Sequence, residues 1–326
     1  MRKKLLEIRD LSVRYHAADG LVWAVNNVSL TLEEGETLGL VGETGAGKTT
    51  TALSLLRLLP KRTSEVHSEG IFLDGVNLLE LPEKEMCSIR GSKVAMIFQD
   101  PMTALNPLQR VGDQIAEVIE LHWNMSRQET AAKVDEIMES VGLPAERKEE
   151  YPHQFSGGMK QRIVIAIALA CNPELLIADE PTTALDVTIQ AQILHMIEEL
   201  KREKNTSMIL ITHDLGIVVE MCSKVAIMYA GEIVESGSVE DIYGDRRHPY
   251  TIGLFNSVPN LEDEQTRLTP VNGLMPDPAD LPPGCKFHPR CPHASDRCRS
   301  EQPHNTEVSP GHLVQCHLAA ECGKEE

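Results

Sequence analysis

The chain holds 326 residues, 41% hydrophobic and 25% charged, an ordinary globular balance with room for one large domain plus an appendage, or for two domains. A formal net charge of -18 and only 4% aromatic residues argue against nucleic acid as a partner, since that binding needs clustered Lys and Arg or a stacking platform. No apolar run approaches the roughly 18–20 residues that cross a bilayer, and no apolar signal core follows the basic start, so a cytoplasmic location is expected, with any membrane role supplied through partners.

Residues 5–15 and 22–32 are predicted as β-rich runs separated by the turn signal Asp19-Gly20. Leu38–Val41 reads as a buried strand that leads directly into a glycine-rich loop, and Lys48–Leu59 as the helix after it. A hairpin segment is expected at Ile71–Gly75, and a strand at Val94–Phe98 ending at Gln99. Helical spacing fills residues 108 to about 172, interrupted at Gly142-Leu-Pro144 and at Tyr151-Pro152. Strands follow at 174–179 and 208–212, with an amphipathic helix at 187–204 between them. Such alternation implies a mostly parallel sheet, with 108–172 a separate helical subdomain. After about residue 258, helical periodicity fades. Pro259, Pro270, Pro276, Pro278, Pro282 and Pro283 mark an extended linker into a Cys-rich tail.

Gly42–Thr49 reads Gly-Glu-Thr-Gly-Ala-Gly-Lys-Thr, a phosphate cradle in which Gly42, Gly45 and Gly47 let backbone amides approach phosphate oxygens. The following helix aims its N-terminal amides at the same anion. Lys48 adds a full charge, and the Thr49 hydroxyl suits Mg²⁺. Asp179 closes an apolar strand and suits metal support. Glu180, one residue on, can polarise an attacking water. Ser156-Gly157-Gly158, at an expected helix N-terminus, is surplus to one phosphate site and suggests service to a second nucleotide held by another subunit.

On these motifs the chain resembles the ATP-binding cassette family over about residues 4–257. Gly42–Thr49 is similar to its Walker A motif, Leu175–Glu180 to Walker B with the catalytic glutamate, Gln99 to the Q-loop, Ala184-Leu185-Asp186 to the D-loop, and His213 to the switch histidine. Phe155–Met159 is similar to the signature motif, which more often reads Leu-Ser-Gly-Gly-Gln; Phe155 and Met159 depart from it. The resemblance implies an α/β P-loop ATPase core with a mostly parallel sheet, an antiparallel β subdomain, a helical subdomain and a Cys-rich extension. It implies a division into 1–257 and 258–326. ATP would meet Tyr15 at the adenine, Gly42, Gly45, Ala46, Gly47, Lys48, Thr49 and Thr50 at the phosphates, and Gln99, Asp179 and Asp186 nearby. Mg²⁺ would take Thr49 and Gln99. Glu180, Lys48 and His213 would be catalytic, and Ser156, Gly157 and Gly158 would serve the nucleotide of the opposing subunit.

Residues 99–107, Tyr151–Phe155 and His248-Pro249-Tyr250-Thr251 resemble the dipeptide/oligopeptide importer branch. An ATPase subunit at the cytoplasmic face of a membrane is therefore expected, with a homologous ATPase subunit (a copy or a relative), two transmembrane permeases and, indirectly, a peptide-binding protein as partners. Import of nickel, glutathione or another solute is the alternative, and a non-transport cassette ATPase a distant one. Five of eight cysteines (Cys285, Cys291, Cys298, Cys316, Cys322) fall in the last 42 residues, where an even spread gives about one. In a reducing compartment clustered thiols read as metal ligands. The spacing C-x5-C-x6-C-x17-C fits neither zinc fingers nor ferredoxin runs, so zinc, iron–sulfur and free thiols stay open, with His288, His293, His304, His312 and His317 keeping zinc in play. The pattern Cys-x-Phe-x-x-Arg-Cys at 285–291 resembles the branch's extension, some members of which hold a [4Fe–4S] cluster. That implies Cys285, Cys291, Cys298 and Cys316 as its ligands, a structural role, and Cys322, Cys87, Cys171 and Cys222 as bystanders.

Overall fold

The computed structural model describes residues 3–18, 20–183, 185–257 and 271–322. Asp19, Ala184, Pro259 and Pro270, on which parts of the expected turn, D-loop and linker fall, lie outside the described residues, as does the side chain of Cys322.

Two long strands open the chain, β1 (Lys4–Ala17) and β2 (Gly20–Glu33). Their inward alternation slips by one residue at Asp10 and Asn27, the two positions that adopt left-handed backbone, with φ of 47° and 50°. Ser12 Oγ donates to Asn27 Oδ1 at 2.9 Å across that irregularity. The short strand β3 (Thr37–Val41) is buried throughout and runs through the glycine loop into α1 (Lys48–Leu55). That helix stops four residues before the expected Leu59, and Arg57 turns left-handed just beyond it. Then come β4 (Ser64–His67), β5 (Gly70–Leu73) and β6 (Val76–Asn77). Asp74 and Gly75, at φ of 47° and 78°, form the primed turn that a two-residue hairpin needs.

Next along the chain are α2 (Glu83–Ile89), β7 (Val94–Ile97), α3 (Pro101–Ala104), α4 (Val111–His122), α5 (Arg127–Ser140), α6 (Gly157–Leu169), β8 (Leu175–Asp179), α7 (Val187–Lys204) and β9 (Ser207–Thr212). The C-terminal part holds α8 (Leu215–Met221), β10 (Lys224–Tyr229), β11 (Glu232–Ser238), α9 (Val239–Gly244), α10 (Pro249–Asn256), α11 (Asp296–Ser300), β12 (Thr306–Ser309), β13 (His312–Val314) and α12 (His317–Cys322).

The chain forms two compact units. One comprises Met1–Leu5, Leu32–Thr37 and Glu80–Ile211. In it β7, β8 and β9 run parallel, with Val94 opposite Leu175 and Leu175 opposite Ser207. β8 and β9 are buried at every residue, as a strand covered on both faces requires. The helical stretch between β7 and β8 breaks where expected. Gly142 is left-handed at φ 71°, and Pro144 and Pro152 open single turns of 3-10 helix. Helix α5 starts with a reciprocal capping box between Ser126 and Glu129. Helix α7 occupies its expected bounds, fixed by the Asp186 side chain at its start and by left-handed Asn205 at its end.

The other unit comprises Leu6–Thr31, Leu38–Leu79 and Thr212–Glu326. It carries an antiparallel sheet ordered β2-β1-β5-β6 with β4 also on β1. A second set of strands runs β3, β10, β11, β13, β12, with β3 parallel to β10 and the rest antiparallel. Its core gathers Tyr229, Tyr250 and Phe287, and the Tyr229 ring meets Tyr250 at 4.6 Å and Phe287 edge-on at 5.2 Å. The tail is thus more than a linker. Phe287 is 2% exposed inside this core, and β12 and β13 extend the sheet beyond β11. A wholly buried pair, His312 and Glu235, joins β13 to β11 at 2.9 Å. Removing the Phe287 ring should cost about 3–4 kcal/mol, the usual loss for Phe→Ala in a packed core. Denaturant unfolding of Phe287→Ala beside the parent chain measures it.

Candidate functional site

The phosphate loop belongs to the second unit. Gly47 stands at φ 103°, and a Cβ there would lie 2.4 Å from the Ala24 carbonyl. A Cβ on Gly42 would lie 2.2 Å from the Met228 carbonyl, so the loop's two ends are pressed against backbone that no side chain can enter. The Ala46 carbonyl accepts from Gly231 N at 3.0 Å, and the Gly231 carbonyl accepts from Asn26 N at 2.7 Å, which ties the loop to β2. Lys48 Nζ donates to the Gly42 and Glu43 carbonyls at 2.7 and 3.0 Å, across the mouth of the loop. Ala46 is buried, Gly45 is left-handed at φ 86°, and Thr49 is exposed at the N-terminal end of α1. The Tyr15 hydroxyl stands 3.5 Å from Thr50 Oγ1, which puts this half-buried ring beside the first turn of α1. His213 is exposed immediately after β9, on a stem held by Asp214, whose N–H donates to Thr212 Oγ1 and whose side chain caps α8.

The first unit holds the carboxylates. Asp179 is the last residue of β8 and only 2% exposed. Glu180 adopts φ 47°, a strained backbone for a non-glycine residue and a common mark of functional positions. Its N–H donates to the Ile211 carbonyl at 2.9 Å. Its Oε2 accepts from Gln99 Nε2 at 3.0 Å and from Thr183 Oγ1 at 2.9 Å. Gln99 and Glu180 are thereby brought together, a pairing that the motif reading did not give, and Thr183 is a further partner that it missed. Its position three residues after a strand-end carboxylate is the signal that could have pointed to it. Ser156 caps α6 by accepting from Met159 N, which leaves Gly157 exposed in the first turn. Asp186 caps α7 through Ile189 N at 3.0 Å.

In the extension, a backbone hydrogen bond joins two of the four cysteines of interest. Cys285 N donates to the Cys298 carbonyl at 2.9 Å, and Ser295 Oγ lies 3.3 Å from Cys298 Sγ. Burial, reinforced by Cys316, Cys298 and Cys291, pushes the Cys285 thiol up to about 11. Burial likewise raises Cys291 and Cys316. Among the described residues, however, no group of three or more His, Cys, Asp or Glu side chains is arranged to hold a metal ion. Three of the histidines have other partners: His288 lies against the Cys285 carbonyl, His312 against Glu235, and His317 against the Glu301 carbonyl. Cys87 is exposed and Cys171 buried.

Two family models match the chain: ABC transporter over residues 25–183, and oligopeptide/dipeptide transporter, C-terminal region, over residues 234–298. The chain is 49% identical over 315 residues to the probable peptide ABC transporter ATP-binding protein y4tR of Sinorhizobium fredii, covering 96% of this chain and 94% of that one. It is 49% identical over 314 residues to the oligopeptide transport ATP-binding protein OppD of Salmonella typhimurium, covering 96% and 93%. Against the dipeptide transport ATP-binding protein DppD of Bacillus subtilis the identity is 48% over 318 residues, 97% and 95% of the two chains. Among solved structures, the dimeric post-hydrolysis state of the ATP-binding cassette MJ0796 bound to ADP and Pi superposes with a TM-score of 0.64 at 25% identity, covering 72% of this chain and 99% of that one. The α/β P-loop fold is thus that of an ATP-binding cassette. The chain belongs to the ABC transporter family, in the branch that carries the oligopeptide/dipeptide transporter C-terminal region.

Gly42 and Gly157 provide opposite tests of this geometry. Gly42→Ala must displace the Met228 peptide and should destabilise the chain by about 1–3 kcal/mol, as overpacking does. Gly157→Ala meets nothing closer than Leu185 at 3.9 Å and should be neutral or stabilising by up to about 1 kcal/mol. Thermal unfolding of the two variants compares them directly.

Proposed function

We propose that this chain is the ATP-hydrolysing subunit of an importer of di- and oligopeptides. The near full-length likeness to peptide-transport ATP-binding proteins carries that reading. In it, residues 1–257 are the nucleotide-binding domain, with the helical subdomain at about 108–172, and residues 258–326 are the extension. Two permeases in the membrane, a second ATPase subunit and a peptide-binding protein complete the machine, and the chain works peripherally at the cytoplasmic face.

Each proposed role is assigned to a residue described above. The loop amides from Gly42 to Thr49 and the Lys48 ammonium hold the β- and γ-phosphates, with Tyr15 against the adenine. Glu180 takes the proton of the attacking water as the new P–O bond forms and the bond to ADP breaks. The hydrogen bonds from Gln99 and Thr183 fix that carboxylate, so no reorganisation is needed when charge develops. His213 holds the γ-phosphate in register. Ser156, Gly157 and Gly158 complete the nucleotide of the opposing subunit, where the exposure of Ser156 and Gly157 at a helix N-terminus suits an anion. Mg²⁺, when bound, neutralises charge on the phosphate oxygens. Its proposed ligands are the Thr49 hydroxyl and the Gln99 amide oxygen, the Gln99 amide nitrogen being engaged by Glu180.

For the extension the reading is a structural [4Fe–4S] cluster on Cys285, Cys291, Cys298 and Cys316. Support comes from the Cys285, Cys291 and Cys316 thiols, which burial holds above their usual range, so that they resist ionising until a cation replaces the proton. A single Zn²⁺ needs its donors about 2.3 Å from one point, whereas a cluster spreads four thiolates over several irons. When bound, such a cluster supplies metal–thiolate bonds that fix the loops around Phe287.

Glu180→Gln should lower the hydrolysis rate at least about 100-fold while retaining ATP and holding the ATPase dimer closed. Phosphate release and size-exclusion chromatography in MgATP check both, and a variant that hydrolyses normally removes Glu180 from the base role. Anaerobically purified protein should be brown, with about four irons and four sulfides per chain; a colourless chain with one zinc would replace the cluster by zinc.

A further inference from the structure

Within the phosphate loop stands an acidic residue, Glu43, in a segment built to receive an anion. A carboxylate there opposes a triphosphate unless a cation neutralises it. The structure supplies one from the extension. Arg290 Nη1 donates to both carboxylate oxygens of Glu43, at 3.1 and 3.2 Å, between residues 247 positions apart in sequence. The Arg290 side chain is only 5% exposed, against 31% for Glu43, so water screens this pair weakly. Its remaining nitrogens donate to the tail backbone, Nε to the Asn272 carbonyl at 2.9 Å and Nη2 to the Val271 carbonyl at 3.4 Å. The guanidinium also lies 5.7 Å from the centre of the Tyr229 ring.

Other contacts brace the same loop. The Glu43 N–H donates to the Tyr250 hydroxyl at 3.0 Å, and the Met275 sulfur is the nearest atom to the open side of Gly45, 3.9 Å from where a Cβ would stand. The loop is therefore held from below by β10 and β2, and from the side by α10 and the tail.

We propose that Arg290 is a positioning residue for nucleotide binding, cancelling the Glu43 charge and anchoring the phosphate loop to the cysteine-rich extension. This rests on the ATP reading above. Arg290 directly precedes Cys291, so the shape of the loop Cys285–Cys291 sets the reach of the guanidinium. The extension then acts on nucleotide affinity through one ion pair.

The test is MgATP titration of the full-length chain by calorimetry, with Lys48→Ala as the non-binding control. Arg290→Gln should weaken binding at least fivefold, and weaken it further at low salt, because Glu43 is left unpaired beside the phosphates. Glu43→Gln with Arg290→Gln should return to within about twofold of the parent, since removing both partners leaves no opposing charge. Arg290→Lys should fall between, keeping the charge while losing the contacts to Val271 and Asn272. In ATPase assays of the assembled importer, the Arg290→Gln defect should appear in KM rather than kcat. Parent-like binding by Arg290→Gln overturns the inference, and so does a double variant as weak as the single one. If the parent itself fails to bind MgATP, the ATP reading falls and the inference with it.

Discussion

An anion-binding loop must present its N–H groups outward while being prevented from collapsing, and everything functional in this chain depends on how that is done. Gly42 and Gly47 sit so close to the Met228 and Ala24 carbonyls that only hydrogen fits between them. The loop's two ends are clamped by backbone, while Glu43 within it is braced by the side chains of Tyr250 and Arg290. Lys48 spans its mouth through two of the loop's own carbonyls. A strand buried at every residue delivers the chain into this clamp, and a helix carries it away.

The carboxylate to which hydrolysis is assigned above uses another device. Glu180 accepts an unfavourable backbone conformation immediately after a wholly buried strand, and it keeps that conformation because Ile211, Gln99 and Thr183 each hold part of it. Ser156 and Asp186 do a quieter job. Each caps a helix, so the signature turn and the start of α7 have fixed geometry before any partner arrives.

Much of this was legible in the sequence. Helix α7 could be read to its last residue because its amphipathic period is long and its two ends carry Asp186 and Asn205. The breaks at Gly142 and Pro152 were equally plain, as were the motifs that place Lys48, Asp179 and Glu180. The extension was not. Its strands and helices run only three to six residues, too short for any period to show, and Phe287 is a single apolar residue among prolines and cysteines. Pairings such as Glu43 with Arg290 join positions that no local pattern relates.

The hairpin of β12 and β13 has a further effect. Were it absent, β11 would end the sheet with its row of N–H and C=O groups bare, and buried Glu235 would lose His312. Unclothed sheet borders seek other chains, so a protein trimmed back at residue 257 would be sticky rather than minimal. The short hairpin, four residues and three, also makes a poor template for annealing to a neighbour. The tail thus serves as a hem that keeps a sheet from fraying into aggregates.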